Sequence, residues 1–175
     1  MRGTCNRLRQ HAADEQRLTL SCEPTLLMRW LMPRWPAFQR KLAKTHPQAQ
    51  VLLVAGGGPF AFSSGIDLAI RRDDFAFPDA AHAHALFAEK VGPVCRPAQI
   101  SQWFDKRGKL RANASLLHTR TRPQAWKAWA RGSDHSIPAS AGHQQHEHFY
   151  FSLQAAVAGL GVAIGPWHLV CDDLQ

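Results

Sequence analysis

The sequence predicts an α/β fold with parallel strands, and three observations carry that prediction. Short apolar runs at 18–22, 51–55 and 162–165 alternate with stretches of helical spacing. The run VLLVA at 51–55 is apolar at every position, the pattern of a strand covered on both faces. Glycine and proline clusters separate the runs where the chain must turn. With 175 residues, 45% of them hydrophobic, the chain is long enough to bury a core of this kind.

In order, residues 1–16 read as a loose or helical lead-in. Residues 18–22 (LTLSC) alternate as a short strand, Pro24 ends it, and Thr25 caps a helix bearing Leu26, Leu27, Trp30 and Leu31. Pro33 and Pro36 are expected to kink this helix or start a second, with Trp35, Phe38 and Leu42 continuing its apolar face. Residues 51–55 are expected as a buried parallel strand, closed by a turn at Gly56-Gly57-Gly58-Pro59. The next strand is 66–70, ending in Arg71-Arg72-Asp73-Asp74, and Asp67 is expected to order the turn after Gly65. A loop over 75–85 leads to an extended segment at 86–95, a short helix at 97–104 and a short strand at 116–118. Trp126 and Trp129 stand three apart on a helix over 124–131, and the polar stretch 132–146 reads as a loop. Residues 149–160 form the cleanest helix, ended by Gly161. A buried strand at 162–165 follows, and Pro166 opens a last helix, WHLVCDDL.

The apolar stretch 153–170 is broken by Gly159, Gly161 and Gly165, so it does not read as a membrane span. The first residues, MRGTCNRLRQHAADEQ, have no apolar centre of the signal-peptide kind, and the chain is expected in the cytoplasm. The four cysteines, at 5, 22, 95 and 171, form no Cys-x-x-Cys pair and read as reduced thiols. The net charge of +8 is compatible with a polyanion partner, but the basic residues are scattered, which favours a solvated basic surface.

Four segments, LTLSCEPTLLMRWLMPRWPAF, GIDLAIRRDDF, LFAEKVGPVCRP and EHFYFSLQAAVAGLGVAIGPWHLVCDDL, resemble in order and spacing the effector-binding domain of LysR-type transcription regulators. The branch is the one related to glycine-cleavage and β-lactamase regulators. The resemblance covers 18–174, and the run from Ser152 to Gly165 is its most specific part. It implies a periplasmic-binding-protein type II-like fold, in which two α/β lobes joined by crossing strands hold a small effector between them. Residues 1–17 are then a linker remnant, 18–86 the first lobe, 87–165 the second, and 166–175 the helix before a return crossing. That return crossing, with the last part of the first lobe, is expected to be missing. The resemblance also implies a homodimer and DNA contact through a helix-turn-helix absent from this chain. It implies neither cofactor, membrane contact nor catalysis.

An anionic effector would suit helix amino ends, which offer unpaired N–H groups and a positive dipole end. The candidate contacts are Thr25, Arg71, Arg72, His118, Thr119, Tyr150 and Ser152. Each has a plainer alternative. Thr25 could be a helix cap, the arginines could pair with Asp73 or Asp74, His118 could be a core histidine, and Tyr150 could be packing. Trp30, Trp35, Trp126 and Trp129 read as core or dimer contacts.

Other motifs argue less. His143, His146 and His148 form H-x-x-H-x-H, but no helix pattern surrounds them, and a metal site is not expected. Gly56-Gly57-Gly58 lacks both phosphate-loop patterns, and Ser63-Ser64-Gly65 lacks the nucleophile-elbow frame. The alternatives to a sensor are an extracytoplasmic solute receptor, a histidine-based metalloenzyme and a non-functional fragment of a disrupted regulator gene.

Overall fold

The computed structural model describes residues 17–174. The lead-in expected over 1–16, with Cys5, lies outside the described residues. The chain divides into two compact units, one ending at Leu86 and one beginning at Phe87.

In the first unit, β1 (Arg17–Cys22), β2 (Gln50–Ala55) and β3 (Leu68–Ile70) form a parallel sheet in the order β2-β1-β3. Burial in β1 rises toward its carboxyl end, where Ser21 and Cys22 are buried. The apolar run of β2 is parallel as expected but not buried. It is an edge strand, and Leu52 is 39% exposed. A continuous apolar run implies full cover only where neighbours stand on both sides. β3 is shorter than expected because Asp67 closes the ladder. Its N–H donates to Thr19 O at 3.0 Å, and its carboxylate accepts from Thr19 N at 2.7 Å. Asp67 therefore fixes β1 rather than the turn after Gly65.

Helix α1 (Pro24–Leu26) runs through a π turn at Leu27–Leu31 into α2 (Met32–Thr45). Of the two expected effects of the prolines, the second is seen: a new α-helix starts at Met32 with Pro33 in its first turn, after this π turn. Pro33 has no N–H to donate, and its ring crowds the carbonyl one turn back. The wider turn makes room, with Met32 N donating to Leu27 O five residues behind. Glu23, not Thr25, is the cap. Its carboxylate accepts from Leu26 N at 2.9 Å, and Pro24 takes the first helical position, where a missing N–H costs nothing.

The second unit holds a four-stranded sheet in the order β4-β7-β5-β6. β5 (Ser115–Thr119) is parallel to β6 (Gly142–His146) and to β7 (Val162–Pro166). β4 (Val91–Val94) is antiparallel to β7, so the all-parallel expectation fails at this edge. β6 was expected as loop. Its sequence, GHQQH, is polar because it is the other edge, paired on one side and mostly exposed. Every residue of β7 is buried. Trp103, Leu110, Ala114, Leu116, Trp126, Ala141, Val162 and Ile164 form one core cluster. Trp103 comes from α3 (Ile100–Trp103) and Trp126 from α4 (Ala125–Gly132), whose indole N–H donates to Leu117 O at 3.1 Å.

Helix α5 (Phe149–Val157) buries Phe149, Ser152, Leu153, Ala155 and Ala156. It ends at Gly159, two residues before the glycine expected to stop it. Gly159 is left-handed (φ 85°), and the pair of bonds Leu160 N to Ala155 O and Gly159 N to Ala156 O closes the helix as a Schellman motif. Gly161 is needed for a different reason, since a Cβ there would stand 2.3 Å from Ser115 O. The last helix, α6 (Trp167–Val170), begins after Pro166 as expected but is only four residues long.

Candidate functional site

In the first unit the candidate residues gather at the carboxyl ends of the strands. Arg71 follows β3. Its Nε donates to Gly58 O at 3.0 Å, its Nη1 to both Ser21 O and Ile70 O at 3.0 Å, and its Nη2 to Ser21 Oγ at 2.7 Å. A guanidinium has five N–H groups. One on Nη2 has no hydrogen-bond partner among the described residues, and the other four tie β1, β3 and the loop after β2 together. Burial holds its pKa below the ordinary arginine value, opposed by Cys22 and Glu23. Gly56 sits against this tie, and a Cβ there would lie 2.9 Å from Ser21 Oγ and 3.2 Å from Arg71 Nη2. Around it opens a hollow of about 580 Å³ lined by Ser21, Gly56, Phe60, Ser64, Ile66 and Arg71, among others. Arg72 does not join the group. Its Nη1 lies 3.0 Å from Asp74 Oδ2 in an exposed ion pair.

Thr25 is 1% exposed, and its Oγ1 has no hydrogen-bond partner among the described residues. The residue is held in the first helical turn behind the Glu23 cap. Glu23 also places a carboxylate at this helix start, so the anion-attracting end inferred from the sequence is already answered there. Cys22, beside it, has its thiol pKa pushed up to about 12 by burial, with Glu23 adding and Arg71 opposing.

In the second unit Thr119 and Ser152 meet. Their hydroxyl oxygens are 3.0 Å apart, and Ser152 Oγ donates to Phe149 O at 2.9 Å. Thr119 is therefore the donor to Ser152. At 3% and 1% exposed, the pair staples the end of β5 to the start of α5. Both hydroxyls, expected from the sequence as effector contacts, are engaged with the protein itself. Tyr150 stacks on His148 at 5.4 Å and touches Phe151 at 4.2 Å. Among the described residues, no side chain caps the amino end of α5. His118 Nε2 lies 2.8 Å from His143 Nδ1, and burial followed by His143 lowers the His118 pKa. His118 also lies beside Trp126, with ring centroids 6.3 Å apart.

The family model of the LysR substrate binding domain matches residues 11–175. The chain belongs to the LysR substrate-binding domain family. This LysR domain is 37% identical, over 177 residues and 99% of its length, to the HTH-type transcriptional regulator TrpI of Pseudomonas aeruginosa. It spans 58% of that relative. Solved structures with the same fold include the effector domain of the regulator AmpR of P. aeruginosa (24% identity, TM-score 0.68, 90% of this chain and 73% of that one). The AmpR effector-binding domain of Citrobacter freundii has 22% identity and TM-score 0.70, over 91% of this chain and 76% of that one. The regulatory domain of CrgA from Neisseria meningitidis has 18% identity and TM-score 0.65, over 90% and 76%. The fold is the periplasmic-binding-protein type II-like one that the resemblance implied, and the relatives are transcription regulators rather than enzymes. No helix among the described residues is long and apolar enough to cross a membrane.

Within this LysR domain, sequence reasoning missed Ser21 and His143. Ser21 looked like one position in an alternating strand. His143 looked like part of a spacing motif. Both acquire partners only through pairing with segments distant in the chain, Arg71 for the first and His118 for the second.

Proposed function

We propose that this chain reads a small anionic effector for a DNA-binding transcription regulator that acts as a homodimer in the cytoplasm. It binds its ligand and does not convert it. DNA contact belongs to a helix-turn-helix of the kind for which the TrpI relative is named. In this reading 18–86 and 87–165 are the two lobes and 166–175 the last helix of the domain. Effector contacts fall to Thr25 and the open N–H of Arg71 in the first unit, and to His118 and Tyr150 in the second. Thr119 and Ser152 hold the second set in place, and Arg72 stands outside it.

One observation carries the reading. The Thr25 hydroxyl, buried in the first turn of α1, has no hydrogen-bond partner among the described residues, and an unpaired buried hydroxyl costs about 1–3 kcal/mol. A ligand acceptor or donor would supply the missing bond. The uncapped start of α5 favours negative charge on that ligand.

The test is thermal stability and calorimetry against a panel of anionic metabolites. At least one member should raise the melting temperature. Thr25→Val should abolish that response while leaving the unliganded protein as stable or more so. A panel without response, or a response untouched by Thr25→Val, overturns the reading.

A further inference from the structure

The three histidines of 143–148 do not act as a unit. Side chains along a strand alternate between the faces of a sheet, so His143 and His146, three apart on β6, face opposite ways. His148 precedes α5 and stacks on Tyr150. The fold instead builds a pair across two strands. The β5–β6 register sets His143 opposite Leu116 and Gln145 opposite His118. His118 and His143 are thus diagonal neighbours on one face, with Nε2 and Nδ1 converging to 2.8 Å.

We propose that His118 and His143 form a two-imidazole chelate for a divalent transition-metal ion, with Cu²⁺ held more tightly than Ni²⁺ or Zn²⁺. Two nitrogens bound at about 2.0–2.1 Å and at right angles stand about 3.0 Å apart. The observed pair needs to open by only a few tenths of an ångström. The proton between the rings need not leave the protein. It moves to the far nitrogen of the ring that donated it, and each ring then turns a lone pair toward the metal. Neither far nitrogen, His118 Nδ1 or His143 Nε2, makes a hydrogen bond among the described residues. Both ligands stand on hydrogen-bonded strands, so little freedom is lost on binding.

Imidazole must be neutral to ligate. Among the described residues the donor set is nitrogen alone, with no carboxylate or thiolate grouped with it. That suits copper, nickel and zinc, with Cu²⁺ first by the general order of divalent affinities, and it does not suit calcium or magnesium. Water completes the coordination shell. The chelate shares His118 with the proposed effector contacts, but the metal titration uses no effector, so its outcome is read apart from the sensing function.

The experiment titrates the full chain with CuSO₄ and NiSO₄ in calorimetry and records the electron paramagnetic resonance of the copper complex. The expected result is one saturable equivalent with two imidazole nitrogens on copper, weakening as pH falls through the imidazole range. His118→Gln and His143→Gln should each leave one nitrogen. Each should also weaken binding by at least the roughly 10- to 100-fold that loss of a mere outer partner costs. His146→Gln, on the opposite face, should leave the affinity unchanged. His143 is exposed on an edge strand, so its variant tests the site even if His118→Gln fails to fold. Undiminished binding by His143→Gln, or loss only in His146→Gln or after thiol blocking, overturns the proposal.

Discussion

The two units are stabilised in different ways. Among the described residues, sixteen hydrophobic side chains from Trp103 to Val170 are buried in the second unit, whereas the first buries only Cys22 and Leu31. The second sheet is packed around tryptophans, and its inner strand β7 is covered throughout. The first sheet leaves Leu18, Leu52 and Leu68 exposed. It is organised by polar ties, with Asp67 on Thr19 at one end of β1 and Arg71 on Ser21 at the other. Packing holds the second unit through many contacts gathered around a few large side chains. Directional bonds make the first depend on a few residues.

That contrast can be tested by substitutions of decreasing effect. Trp126→Ala removes a core indole and its hydrogen bond to Leu117 O. It should cost about 3–5 kcal/mol in chemical denaturation and speed amide exchange in β5 and β7. A loss below about 1 kcal/mol would show that the second unit is not held by this core. Arg71→Met keeps much of the apolar stem but removes four directed bonds. It should cost about 2–3 kcal/mol and loosen exchange in β1 and β3. If it is neutral, the first unit is held by something other than its ties. Ser152→Ala leaves the Thr119 hydroxyl without its acceptor and should cost about 1–2 kcal/mol, seen as faster exchange at the start of α5.

The smallest effect is a dependence on pH. The folded pKa of His118 lies below its unfolded value, so below about pH 6.5 the unfolded chain binds more protons than the folded one. Stability should therefore fall as pH drops from that value toward the folded pKa, and rise again on the way back. His118→Gln should flatten this slope in urea titrations run at several pH values. An unchanged slope would assign it to another group.

The elements that could be read from the sequence were those whose burial writes a hydrophobic pattern. β1, α5 and β7 all carry such a pattern, and all three form where the residues predict. β6 left no such trace, because an edge strand is defined by backbone pairing to β5 while its side chains stay polar. β2 misled for the opposite reason, since its sequence is that of a covered strand and its position is an edge. In the site, Thr25 and Arg71 could be picked out by chemistry and position. The use of Arg71 as a tie could not be foreseen, because Ser21 lies fifty residues earlier and meets it only through strand order. The same holds for Thr119 and Ser152, two hydroxyls that read as ligands singly and prove to be partners.

The π turn before Pro33 has a consequence for the whole length of α2. A wider turn inserts one residue into a rod that advances about 100° per residue. Everything downstream, from Trp35 to Leu42, is rotated by that angle from where an uninterrupted α-helix would aim it. Removing a single residue from Leu27–Leu31 would therefore do more than shorten the helix. It would carry the basic residues Arg40, Lys41 and Lys44 to a new azimuth, so the proline sets the direction of a surface several turns away.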